Sequence, residues 1–258
     1  MKSLVKSVKF ILPAMLFSTG AAFAQTPECP CPAPPAPPPP IWFGKVDFSY
    51  LSTSGNTDTS SIGGGLELNF NPKPWLFTLK GAYLHAAIDG VTKAEAETFS
   101  LRATRDLTDR IDVFVGAGYL RNRFSGINNI YNFDAGAGYK LFKGPNQFLR
   151  VEGGIGYTSE QDIRDGIVVP YRNYANGRAG VNYKWQFSKT AAFTNDFTFL
   201  LDLDQTSNWF ITEKAAITAS LTSVFALQAS WTLFFRNQPV RGFEKRDTAT
   251  AFGIVAKF

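Results

Sequence analysis

The chain has little of what most enzymes and metalloproteins rely on. Its 258 residues include one histidine, two cysteines and two methionines. A lone His85 leaves little scope for imidazole-based catalysis or a histidine metal centre, and nothing in the pattern calls for a cofactor. Cys29 and Cys31 exclude a disulfide framework, because a bond between them would close a very tight, strained ring; intermolecular pairing or a labile redox pair is what they leave open. Pro27 and Glu28 stand where a lipoprotein would carry small apolar residues. No stretch approaches the ~20 apolar residues of a membrane-spanning helix. An excess of one charge is missing as well. Basic residues number 26 and acidic ones 21, and Lys2, Lys6 and Lys9 belong to a leader. Beyond it the balance gives no reason to expect a nucleic-acid partner.

What is present begins with that leader. The three lysines precede the apolar run Phe10–Phe17, and Ala22-Phe23-Ala24 offers a small-x-small cleavage site before Gln25. This predicts a secretory signal peptide over 1–24, since the apolar run is too short to span a bilayer. Nine prolines then fall within Pro27–Pro40. Proline-rich chain forms polyproline II at roughly 3 Å per residue, so 25–41 reads as a spacer of about 40 Å on the periplasmic side.

From Trp42 onward, apolar and polar residues alternate in segments about 18 residues apart, each followed by turn chemistry. The alternation predicts strands over 42–54, 59–70, 75–87, 95–107, 110–122, 129–142, 147–159, 171–187, 191–203, 209–221, 224–237 and 246–258. Every second connection is short, such as Thr108-Asp109 and Thr222-Ser223, and the longest loop is expected at 160–170. An even number of antiparallel strands with both ends on one side describes a transmembrane β-barrel of twelve strands spanning 42–258. The last strand points the same way. Phe252, Ile254, Ala256 and Phe258 share one face, and an aromatic C-terminal residue of this kind resembles the assembly signal of bacterial outer-membrane barrels. That resemblance implies the barrel-assembly machinery and outer-membrane lipids as partners, and the cell outer membrane as location.

Alternating strand direction places Trp42, Trp75, Tyr139, Phe148, Trp185 and Phe258 near the periplasmic rim. Tyr50, Tyr83, Tyr119, Tyr157 and Trp209 fall near the outer rim, as two interfacial girdles require. Asn195 and Glu213 break the apolar face, which suggests a bulge or a slipped register. Parity sends Lys45, Lys80, Arg102, Lys140, Arg150, Arg178, Lys184, Lys214, Arg236 and Lys257 inward, with Asp47, Glu67, Asp112, Asp134, Glu152 and Asp196. The glycines of Gly116–Tyr119, Gly136–Tyr139 and Gly154–Tyr157 face the same way, easing curvature and leaving room for long neighbours.

Gly55-Asn56-Thr57, between Tyr50–Ser54 and Asp58-Thr59, joins the Gly-x-Gly-Tyr strands and the terminal Phe in resembling the YdiY-like salt-induced outer-membrane proteins. That resemblance covers roughly 42–258 and carries no catalytic residues to transfer. Three functions follow in order of support. The first is a narrow channel for ions or small solutes, its ten inward bases against six acids giving a weak anion preference. The second is a closed structural or binding barrel. The third is a lipid hydrolase, for which His85 would need a nucleophile such as Ser52, Ser54 or Thr98. Asp202, Asp204, Glu160, Asp162 and Asp165 lack the spacing of a calcium loop and read as solvated acids.

Overall fold

Strands whose side chains alternate between two environments must bury one face, and a sheet that closes on itself leaves no edge unpaired. The computed structural model describes residues 40–53, 59–88 and 91–258, without the side chains of 51–60, 88–94 and 124. The expected leader, both cysteines, the Gly55-Asn56-Thr57 turn and all of the spacer but Pro40 and Ile41 lie outside these residues. In chain order the strands are β1 (Trp42–Thr53), β2 (Thr59–Phe70), β3 (Trp75–Ile88), β4 (Val91–Asp106), β5 (Ile111–Asn122), β6 (Ile127–Lys143) and β7 (Gln147–Arg164). They continue as β8 (Ile167–Val168), β9 (Arg172–Gln186), β10 (Ala191–Asp202), β11 (Trp209–Ser220), β12 (Phe225–Arg236) and β13 (Arg246–Lys257).

Each long strand pairs antiparallel with the next, and β1 pairs with β13 from Lys45↔Lys257 to Ser49↔Gly253. The result is a closed barrel of twelve antiparallel strands. The C-terminal residue fastens the seam: Gly44 N–H donates to the Phe258 carbonyl at 2.9 Å, and Phe258 N–H donates to the Gly44 carbonyl at 3.1 Å. The end holding Trp42, Lys257 and the short turns is the terminal end; the opposite one is the loop end.

The expected loop at 160–170 is in large part strand. β7 runs on to Arg164, and the two-residue β8 folds back on it through Ile163↔Val168 and Arg164↔Ile167. Asp165 and Gly166 turn the corner with φ of 52° and 80°, the pair of positive values that a two-residue hairpin turn demands and that Asp-Gly supplies.

Contacts between strands that are not neighbours identify the inner face. Arg102 on β4 reaches Glu152 on β7 at 2.7 Å, and Lys80 on β3 reaches Asp196 on β10 at 3.6 Å. Residues two positions along share that face, and those between face outward. Glycine on the inner face makes room for the long side chains. A Cβ on Gly138 would strike the Arg150 guanidinium, and one on Gly180 would lie 2.8 Å from Glu152 Cγ. At Gly136 it would meet backbone, 2.7 Å from Gly154 Cα, and the Phe114 ring at 2.8 Å. Gly136→Val is therefore expected to destabilise the barrel by about 1–3 kcal/mol through overpacking, read as a lower urea midpoint; an unchanged midpoint would show that β6 and β7 separate freely there.

Candidate functional site

The inner face divides into three zones. At mid-height, Glu152 is the hub of a charge network. Its carboxylate accepts from Arg102 at 2.7 Å, from Arg178 at 3.1 Å and from Arg150. Arg150 also donates to both Asp112 oxygens, at 2.9 and 2.5 Å, and Arg178 lies 3.7 Å from Asp134. The buried Phe114 ring lies beside the network, 3.7 Å from the Arg102 guanidinium carbon. Three guanidiniums face three carboxylates, so the cluster is neutral and its members are tied to one another.

Towards the loop end the interior is packed. Ile127, Ile130 and Phe210 form a buried apolar cluster, 0–8% exposed, flanked by Leu120, Leu200 and Phe234. These side chains come from β5 and β6 on one wall and β10 to β12 on the other, so they cross the lumen. A second set of ion pairs accompanies them. Arg236 on β12 binds Glu160 and, at 3.1 Å, Asp162 on β7. Arg172 binds Asp202 at 2.6 Å and Glu160 at 3.4 Å, and Tyr174 Oη donates to Glu160 at 2.8 Å. Glu160, Asp162 and Asp202 are thus buried partners of arginine rather than the solvated loop acids expected from sequence. The connection between β12 and β13 folds over this layer. Val240 is buried, and Gly126, with φ of 70°, lies so close that a Cβ there would stand 2.7 Å from the Phe243 ring. Ser125 Oγ donates to Asp247 at 2.5 Å.

The terminal half is open by contrast. Lys45 and Lys80 share Glu67 at 3.5 and 3.8 Å, and Lys140 binds Asp106 at 2.6 Å. Lys184 and Lys214 are exposed and have no ion-pair partner among the described residues; Lys257 donates to Ser220 Oγ at 2.8 Å. A cavity of about 710 Å³ opens here, bordered by Glu67, Lys80, Asp196 and, along β4 and β5, by Thr98, Ser100, Gly116 and Gly118. On the β1–β4 side the inner residues above it, Ser49, Gly63 and Ala82, are small.

The ten-to-six excess of inward bases does not survive this placement. Arg164 and Arg172 join the bases, while Asp106, Glu160, Asp162, Asp202 and Asp247 join the acids, and the excess among the described residues falls to one. The surplus is local: Lys45, Lys80, Lys140, Lys184, Lys214 and Lys257 line the terminal half with Asp47, Glu67, Asp106 and Asp196.

On the outer wall, Trp42 stacks on Phe70 at 4.3 Å and Trp75 on Phe77 at 5.9 Å near the terminal end. Tyr119 meets Tyr131 at 5.3 Å and Trp209 meets Phe235 at 5.0 Å near the loop end. Tyr50, Tyr83, Tyr139, Tyr157, Trp185, Phe252, Ile254 and Phe258 are exposed there too, and Ala256 lies on that face opposite Phe225 and Val46. Phe148 departs from expectation: it pairs with Lys184 and borders the cavity. Neither a bulge nor a slipped register explains Asn195 and Glu213, because β10 and β11 pair without interruption; the two side chains hydrogen-bond to each other at 2.7 Å. His85 stacks on Tyr83, rings 6.5 Å apart. No cluster of three or more potential metal ligands occurs among the described residues.

A closed antiparallel barrel with an apolar outer wall and a charged interior defines a porin-like barrel of the outer-membrane type. The fold agrees with that of the NanC porin, which is 10% identical, with a TM-score of 0.51 over 83% of this chain and 98% of that one. The chain belongs to the family described as a protein of unknown function, DUF481, matched over residues 46–258. It is similar to the uncharacterized protein YdiY of Escherichia coli strain K12, 24% identical over 196 residues, or 76% of this chain and 75% of the relative.

Proposed function

We propose that this protein is a narrow outer-membrane channel for ions or small solutes, with a weak anion preference set in its periplasmic half. The observation that carries the reading is the asymmetry of the inner face. Long side chains of β5–β12 cross the lumen towards the loop end, whereas above Lys45, Glu67 and Lys80 the inner face of β1–β3 carries Ser49, Gly63 and Ala82, and β4 carries Thr98 and Ser100 beside Arg102. A path along that small-residue wall would begin at the terminal end among the six lysines, enter the cavity that Lys80 and Lys140 border, and pass beside the Glu152 network. Unpaired ammonium groups in a confined aqueous space draw anions. The paired arginines set the width and supply no free charge. In this reading the terminal end faces the periplasm, residues 1–24 are removed on export and the spacer 25–41 hangs below the barrel. Lipid surrounds the aromatic outer wall, and the Phe252–Phe258 face engages the assembly machinery.

The packed layer at the loop end favours a second reading, a barrel that never conducts. Reversal potentials under a salt gradient separate the two. Wild type is expected to favour anions weakly, and Lys80→Glu with Lys214→Glu to turn the preference towards cations at unchanged heat-modifiability on gels. Folded barrels whose reversal potential ignores both substitutions would refute the proposed selectivity. Neutralising Arg178, locked between Asp134 and Glu152, is expected to cost stability without moving the potential.

A further inference from the structure

Asn195 and Glu213 sit where lipid is expected. Asn195 is opposite Ala215 and Tyr183, and Glu213 is opposite Phe197 and Leu233. All of these face outward, near the middle of their strands and far from both rims. Asn195 Nδ2 donates to Glu213 Oε1 at 2.7 Å, and this is the one hydrogen bond either side chain makes among the described residues. One carboxylate oxygen, the amide carbonyl and the second amide N–H are left facing hydrocarbon. An ionisable group on a lipid face is costly and normally finds a partner.

We propose that the outward face of β10 and β11 is a contact between two copies of this chain, centred on Asn195 and Glu213. The pair is self-complementary: it carries donors and an acceptor together, so a second identical pair supplies what each lacks. A two-fold arrangement brings a surface patch against itself, which meets that requirement with no further component. Acyl chains offer no hydrogen bond at all, and a foreign protein would have to bring a matching polar group to the same depth. The surroundings suit close approach. Ala215 on β11, directly opposite Asn195, is a small outward residue beside the pair, and Ala191 and Ala219 face each other further along the same surface at its terminal end; small residues let backbones come together within membranes.

The test uses the full mature chain in lipid bilayers with Cys29→Ser and Cys31→Ser, so that neither can cross-link. In this background Ile217→Cys, on the same outward face, is expected to give an oxidised dimer, and Ile155→Cys, on an exposed outward site of β7, is not. Adding Asn195→Leu and Glu213→Leu makes the face apolar and should leave a heat-modifiable barrel while the Ile217→Cys dimer is lost. Equal cross-linking from both cysteine positions, a wild-type barrel that native mass spectrometry finds monomeric, or a double-leucine variant that still dimerises would each overturn the proposal. Channel recordings play no part in it.

Discussion

Glu152→Ala is expected to lower the stability of the barrel by about 3–5 kcal/mol, the scale on which removing one partner of a buried ion pair acts. Three guanidiniums, of Arg102, Arg150 and Arg178, converge on this carboxylate, whose side chain is 3% exposed. Without it, Arg150 keeps Asp112 and Arg178 keeps Asp134 at 3.7 Å, but Arg102 loses its acid on the far side of β5 and β6. Three like charges would then repel one another around an empty hub. Glu67→Ala is the matched control. Its lysine partners are 39% and 46% exposed, and pairs of that kind contribute about 0–1 kcal/mol. Urea unfolding followed by tryptophan fluorescence should show a large midpoint shift for Glu152→Ala and a small one for Glu67→Ala. Equal shifts would mean that water screens the hub as freely as the vestibule.

Replacing residues 238–244 by a two-residue Asn-Gly turn is expected to raise single-channel conductance several-fold. The segment puts Val240 and Phe243 against Gly126 on the opposite wall, directly over the layer of Ile127, Ile130 and Phe210. Apolar constrictions oppose ion passage because water withdraws from them, so thinning this one should act on current more than on selectivity. Arg236 stays in place and holds β12 to β7 through Glu160 and Asp162. Conductance unchanged in a barrel that still folds would place the narrowest point elsewhere.

Much of the fold was legible because a barrel strand has a two-residue period and a turn at each end. Eleven of the twelve long segments read from alternation both begin and end within four residues of the observed strands. β7 is the exception, and its signal was present: Ile163-Arg164, Asp165-Gly166 and Ile167-Val168 form an Asp-Gly hairpin. That motif reads as loop when the strand is assumed to stop at the bilayer edge. Parity puts Arg102, Arg150, Glu152 and Arg178 on one face, and their side chains contact one another in the structure. It could not show that Arg102 and Glu152, fifty residues apart, meet across the lumen, since parity fixes a face and says nothing of curvature. The same gap hid the roles of Glu160, Asp162 and Asp202, which look like loop acids until Arg236 and Arg172 are brought beside them. Phe210 and Ile130 share the parity of Lys214 and Asp134, a signal of inward apolar residues that the expectation of a polar lumen passed over. Asn195 and Glu213 stood out in the sequence as exceptions, and the structure makes one hydrogen-bonded pair of them.

The central claim is that solute passes along the β1–β4 wall and not through the packed side. Cysteine accessibility during planar-bilayer recording tests it most directly, in the mature chain carrying Cys29→Ser and Cys31→Ser. Ala82→Cys, on the small-residue wall, should lose most of its current when a charged thiol reagent is added. Thr158→Cys, buried beside Asn176 on the filled side, should keep its current. Block at position 158 with none at 82, or silence from barrels shown to be folded, would contradict the account.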